Sequence, residues 1–121
     1  MISKEELVCF DVSNPPHKML GREKKIQEKY ETFTKDKKNS KQFIAGIKEK
    51  LKETSYYFIE NDFPYHIEPC IKHMICWYKN TDCQSVIKNI QSDYSILTYW
   101  ENLSENRSIM EVNHIHIFIT I

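Results

Sequence analysis

An α+β fold with an antiparallel sheet is predicted by three observations: two stretches of helical spacing fall before residue 54, runs rich in aromatic and β-branched residues fall after it, and one further helical stretch interrupts those runs. The 121 residues fit a single domain spanning 1–121, since domains commonly run about 100–150 residues. With 40% hydrophobic residues and only two Gly and four Pro, the chain has the apolar surface for a core and too little turn composition for disorder. Residues 1–19, with Pro15-Pro16, are too irregular to assign, and Gly21-Arg22 marks the start of the first helix. Ile26, Tyr30 and Phe33 then fall on one helical face. Residues 34–41 read as a polar loop, with Asn39 or Ser40 capping a second helix through Phe43, Ile44, Ile47 and Leu51. Strands are predicted at 55–59 and 71–78 around the Asn61-Asp-Phe-Pro-Tyr turn. Thr81 or Asp82 caps a helix from Cys83 to Tyr94 that buries Val86, Ile87 and Ile90, and strands at 96–101 and 109–121 follow. With the strands concentrated late, the helices are expected on one side of the sheet, those before residue 54 covering it through Ile26, Tyr30, Phe33, Phe43, Ile47 and Leu51.

Charge and cysteine usage narrow the function classes. The net charge is zero, but residues 1–53 carry 13 Lys/Arg against 9 Asp/Glu and residues 54–121 carry 4 against 8, giving halves of +4 and −4. The basic half interleaves lysines with glutamates, as a solvated helix face does, which argues against a nucleic-acid groove. Met1-Ile-Ser-Lys-Glu-Glu puts charges where a secretory signal needs an apolar run, and no stretch has the length to span a bilayer. No membrane partner and a cytoplasmic location are therefore expected, with Cys9, Cys70, Cys76 and Cys83 as buried free thiols. Abundant Ile, Lys, Asn and Tyr hint at an AT-rich genome such as that of a large DNA virus, which would make the setting a host cytoplasm. The oligomeric state is not readable from the sequence.

The last strand carries the sharpest chemical pattern. Strand side chains alternate, so Ile115, Ile117, Ile119 and Ile121 share one face while Val112, His114, His116 and Phe118 share the other. His114 and His116 therefore address the same volume, and His73 alternates within its own strand alongside Ile71, Ile75 and Trp77. Imidazole can accept or donate a proton, act as a nucleophile or bind a metal near neutral pH. A single strand histidine is usually a hydrogen-bonded packing residue, the default for His17 and His66. Two on one face risk repulsion if both charge and unsatisfied nitrogens if both stay neutral, which makes packing alone a poor reason for the pair.

Leu20-Gly-Arg, Asn61-Asp-Phe-Pro-Tyr-His-Ile, Ile71-Lys-His-Met-Ile-Cys-Trp-Tyr-Lys and Arg107-Ser-Ile-Met-Glu-Val-Asn-His-Ile-His-Ile resemble, in order, the blocks of the uncharacterised fungal and viral family that includes the N-acetylglucosamine-induced proteins. The similarity spans about residues 20–119, and that family implies kinship without an activity. More distantly, the chain resembles histidine triad proteins: Asp62 and Pro64 precede a strand bearing His73, a helix follows, and Val112-Asn-His-Ile-His-Ile-Phe stands where those proteins read V-x-H-x-H-x-H. That resemblance implies His116 as a nucleophile attacking an α-phosphate, His114 orienting it and His73 facing the same cleft. Phe118 occupies the place of the third histidine, so an acid worth about 10²–10⁴-fold in rate is missing and the version is degenerate, and Met110 stands where a polar glutamine is common.

The expected function is thus binding or hydrolysis of a nucleotide or related phosphate ester, with His116, His114 and His73 catalytic. Asn61, Asp62, Tyr65, Arg107 and Ser108 are the ligand-contacting candidates, although Asn-Asp before Phe-Pro is also ordinary turn chemistry. No cofactor is required. The rival site chemistry is zinc held by His73, His114 and His116, with water completing the tetrahedron. The rival function is a non-enzymatic interaction module, such as a viral accessory protein. An enzyme should present the histidines in an open pocket, and an interaction module should bury them. Trp77 and Trp100 are expected in the core.

Overall fold

The computed structural model describes residues 1–16, 20–101 and 112–121. Its centre is one antiparallel sheet of β1 (Tyr56–Glu60), β2 (Ile71–Tyr78), β3 (Ile96–Trp100) and β4 (Asn113–Thr120), in the order β1-β2-β4-β3. β2 and β4 are the inner strands, paired in the register His73–Phe118, Ile75–His116 and Trp77–His114. The α+β class and the strand parity read from the sequence are both present. No helix among the described residues is long and apolar enough to cross a membrane.

Both sheet faces are covered, where helices on one side only were expected. On one face, Val86, Ile87 and Ile90 of α4 (Cys83–Gln91) pack with Cys76, Ile115, Ile117 and Ile119. On the other, Ile44, Ile47 and Leu51, at the end of α3 (Lys37–Lys50), pack with Ile75, Trp77 and Val112. β4 explains the difference: His114 and His116 are buried, as is Ile115 between them, so the histidine-bearing face is an interior face too.

The predicted loop at 34–41 is almost entirely helical. α2 (Lys24–Lys35) meets α3 at the single residue Asp36, which ends one helix and caps the next by accepting a hydrogen bond from the Lys38 amide at 2.9 Å. Asn39 and Ser40, the caps expected from sequence, lie inside α3. α2 buries no residue fully. Ile26, Tyr30 and Phe33 are half-buried, so it forms an edge and not a full cover of the sheet.

The first residues, too irregular to assign from sequence, include a short helix. Ser3 and Glu6 form a reciprocal capping box around α1 (Lys4–Leu7). Leu7 is fully buried with Tyr65, Ile71, Trp100 and Phe118. Ile2 pairs with the chain around Ile67, donating to the His66 carbonyl at 2.7 Å and accepting from the Glu68 amide at 3.1 Å. All four cysteines are free, but only Cys76 is buried, Cys9 and Cys70 being exposed. Burial pushes the Cys76 thiol up to about 12, which makes it inert at neutral pH.

Candidate functional site

The three histidines project from β2 and β4 onto the face covered by α3. They are 2%, 5% and 5% exposed for His73, His114 and His116. His73 Nε2 lies 2.8 Å from His116 Nδ1, and the His114 and His116 rings meet edge to face with centroids 5.6 Å apart. His73 Nδ1 accepts the Tyr65 backbone N–H at 3.1 Å. Tyr65 lies against both rings, with centroids 4.4 Å from His73 and 5.7 Å from His116, and Phe118 stacks on His73 at 4.6 Å. Burial above all, then the neighbouring histidine and Arg22, holds His73 well below the usual imidazole range. Burial, then His114 and Arg22, pushes His116 down to about 3. Both rings are neutral at physiological pH.

A cleft of about 240 Å³ opens beside this cluster, between the sheet and the α2–α3 pair. His114, His116, Ile75 and Trp77 form its sheet side. Aromatic rings in edge contact line the rest: Tyr30 of α2 on Phe63 of the β1–β2 connection at 5.5 Å, Phe33 of α2 on Phe43 of α3 at 6.1 Å, and Phe43 on Trp77 of the sheet side at 5.5 Å. Arg22 closes one end, with its guanidinium 4.2 Å from the Tyr30 ring centre and 5.0 Å from that of Tyr65, and its Nε donates to the Phe63 carbonyl at 2.8 Å. Such packing fixes the guanidinium plane while keeping its charge at the cleft.

The sequence-derived residues divide clearly. His114, His116, Asn61, Asp62 and Tyr65 line the cleft, whereas His73 does not and lies behind His116. Asn61 also serves its turn, its Oδ1 accepting the Phe63 amide at 2.8 Å. Burial pushes the Tyr65 phenol up to about 12, so it stays protonated. Arg107, Ser108 and Met110 lie outside the described residues, as does His17. His66 is half exposed and sits 3.5 Å from Glu23 at the surface. Trp100 is core, but Trp77 is both core and cleft wall.

The three-histidine zinc site is not formed. Among the described residues no group of three His, Cys, Asp or Glu side chains is placed to hold a metal ion. Two ligands of one tetrahedral zinc stand roughly 3.3 Å apart at zinc–nitrogen distances of about 2.0–2.1 Å. The 2.8 Å between His73 and His116 is instead a hydrogen bond, and the second nitrogen of His73 is committed to the Tyr65 amide.

Sequence reasoning missed Arg22 and the aromatic wall. Tyr30, Phe33 and Phe43 were expected as core, and Arg22 as the mark of a helix start. The Leu20-Gly-Arg block, already singled out by resemblance, was the available signal.

The fold recurs in a solved structure described as the crystal structure of HTC1, with a TM-score of 0.55 at 16% identity over 84% of this chain and 76% of that one. No curated protein matches the chain. Residues 47–93, from the end of α3 through α4 and including the strand that carries His73, match the model of a family described as a protein of unknown function, DUF3605, and over that stretch the chain is similar to an uncharacterised family.

Proposed function

We propose that this chain, akin to the N-acetylglucosamine-induced proteins and more distantly to histidine triad proteins, is a diverged histidine-triad-like binding protein whose cleft holds a nucleotide or a related phosphate ester in the cytoplasm. The observation that carries this reading is the joining of an aromatic wall, buried histidines and one arginine in a single cleft. Aromatic faces stack a base, and arginine holds a phosphate or carboxylate through its planar fork. The cleft volume lies below the roughly 300–1,000 Å³ of drug-sized sites. Part of a nucleotide therefore fits inside, the base against the rings and the phosphate at Arg22. Glu60 and Asp62, exposed lining residues, disfavour a highly charged polyphosphate.

Calorimetric titration of the full chain with AMP, GMP and adenosine tests this. Saturable binding of the monophosphates is expected, with tryptophan fluorescence changing as the ligand reaches Trp77. Arg22→Ala should weaken AMP roughly tenfold or more and adenosine far less, because a hydrogen bond to a charged group contributes about 1.5–3 kcal/mol and a tenfold loss is about 1.4 kcal/mol. The deep burial of all three histidines favours a second reading, a non-enzymatic interaction module. Failure of every mononucleotide to bind a folded preparation would leave that second reading standing.

A further inference from the structure

We infer that the Tyr65 backbone amide, acting through His73, fixes His116 in the Nε2–H tautomer, so that the cleft offers its ligand an uncharged hydrogen-bond donor and reads an acceptor atom instead of attacking it. A backbone N–H can only donate. At 3.1 Å from it, His73 Nδ1 must therefore carry a lone pair, and the proton of the neutral ring sits on Nε2. That Nε2–H points at His116 Nδ1 across 2.8 Å, so His116 Nδ1 is in turn the acceptor and its proton resides on Nε2. Asn61, whose Oδ1 accepts the Phe63 amide, also brings its Nδ2 to 3.4 Å from His73 Nε2, a longer contact than the 2.8 Å one that Nε2 makes with His116.

The alternative protonation states conflict with this geometry. A charged His73 would set Nδ1–H against the Tyr65 N–H, and a charged His116 would set Nδ1–H against a nitrogen that already bears a proton. The low proton affinity of both rings agrees with the relay. The consequence for chemistry is direct. A histidine nucleophile attacks phosphorus with an unprotonated ring nitrogen, but here Nδ1 is taken by His73 and Nε2 carries the proton.

His116 Nε2 is buried with no hydrogen-bond partner among the described residues, and so is Trp77 Nε1, while both rings line the cleft. A buried donor left unpaired costs about 1–3 kcal/mol, which an acceptor on a ligand recovers. Carbonyl, ring-nitrogen and phosphoryl acceptors all satisfy it. His73, which does not line the cleft, is then a positioning residue. The ligand half of this inference rests on the binding reading above, and the tautomer half stands without it.

Long-range proton–nitrogen NMR on the full chain labelled with ¹⁵N-histidine separates the two halves. Assigned through loss of signals in His116→Gln, His116 is expected at pH 7 as a single Nε2–H tautomer with an unprotonated Nδ1. An Nδ1–H tautomer, an imidazolium or an averaged mixture would overturn the inference. In His73→Gln the amide can still accept from Tyr65 and donate to His116, so the tautomer is retained. In His73→Phe it should relax to a mixture, and an unchanged tautomer there would remove His73 from its role. AMP should shift the His116 Nε2–H signal saturably without forming a nucleotidyl adduct. A covalent adduct on His116 would overturn the proposal. If AMP, adenosine and inorganic phosphate all leave the cleft signals in place, the binding reading fails while the wild-type tautomer still decides the relay.

Discussion

At the scale of single residues, the buried histidines link stability to pH with a definite sign. His73 and His116 are held below the ordinary value of 6.5, His116 to about 3, so the unfolded chain takes up protons that the folded chain refuses. The neutral pair carries no penalty above about pH 6.5, and stability is lost as pH falls below that value, for His116 down to about 3. Denaturant titrations at pH 7, 6 and 5 should show the midpoint falling, and the slope should flatten in His73→Gln/His116→Gln. A midpoint that holds steady or rises on acidification would contradict the neutral pair. The placement of these residues was legible because strand parity depends only on local geometry: His114 and His116 had to share a face. Their depth was not, since burial of β4 on both faces depends on α3 and α4, which are distant in sequence. Arg22 was hidden for the same reason, 41 residues separating it from the Phe63 carbonyl it holds.

Among the elements, the α2–α3 junction rests on one side chain. Asp36→Ala removes the cap on α3 and should cost about 1 kcal/mol, read as a shift in the urea midpoint. It should also loosen the cleft wall, where Phe33 and Phe43 meet across that junction, and so weaken ligand binding. Ile47→Ala, buried against the sheet, should cost about 2–5 kcal/mol. Reversing the charge of exposed Lys25 and Lys29 together should change stability by only tenths of a kcal/mol, and unfolding would refute the amphipathic assignment of α2. Residues 34–41 read as a loop because polar composition was taken for a break in structure. Lysine is a good helix former, and an exposed helix end has the same composition as a connection. The Ser3-x-x-Glu6 box followed by a buried leucine was readable, but a four-residue helix leaves no periodicity to reinforce it.

Across the whole molecule, long-range packing joins the earliest residues to the latest. Leu7 sits against Phe118 and Trp100, and Phe10 meets the Trp100 ring edge to face at 5.9 Å. Leu7→Ala should therefore lower the single cooperative transition by about 2–5 kcal/mol, seen identically by circular dichroism and tryptophan fluorescence. A change confined to one probe would show that the first residues fold as a separate unit. The α+β class was legible because helical and strand spacing occupy different stretches of the chain. The two-sided cover was not, because the side on which α4 crosses is set by the sheet order. That order has a consequence for synthesis. β4, the latest strand in chain order, inserts between β2 and β3, so on the ribosome both strands present bare hydrogen-bonding edges and apolar faces until residues 113–120 have emerged. The nascent chain carries these open edges from the emergence of β2 until that of β4, and fragments halted before residue 113 should aggregate and not wait in a native-like state.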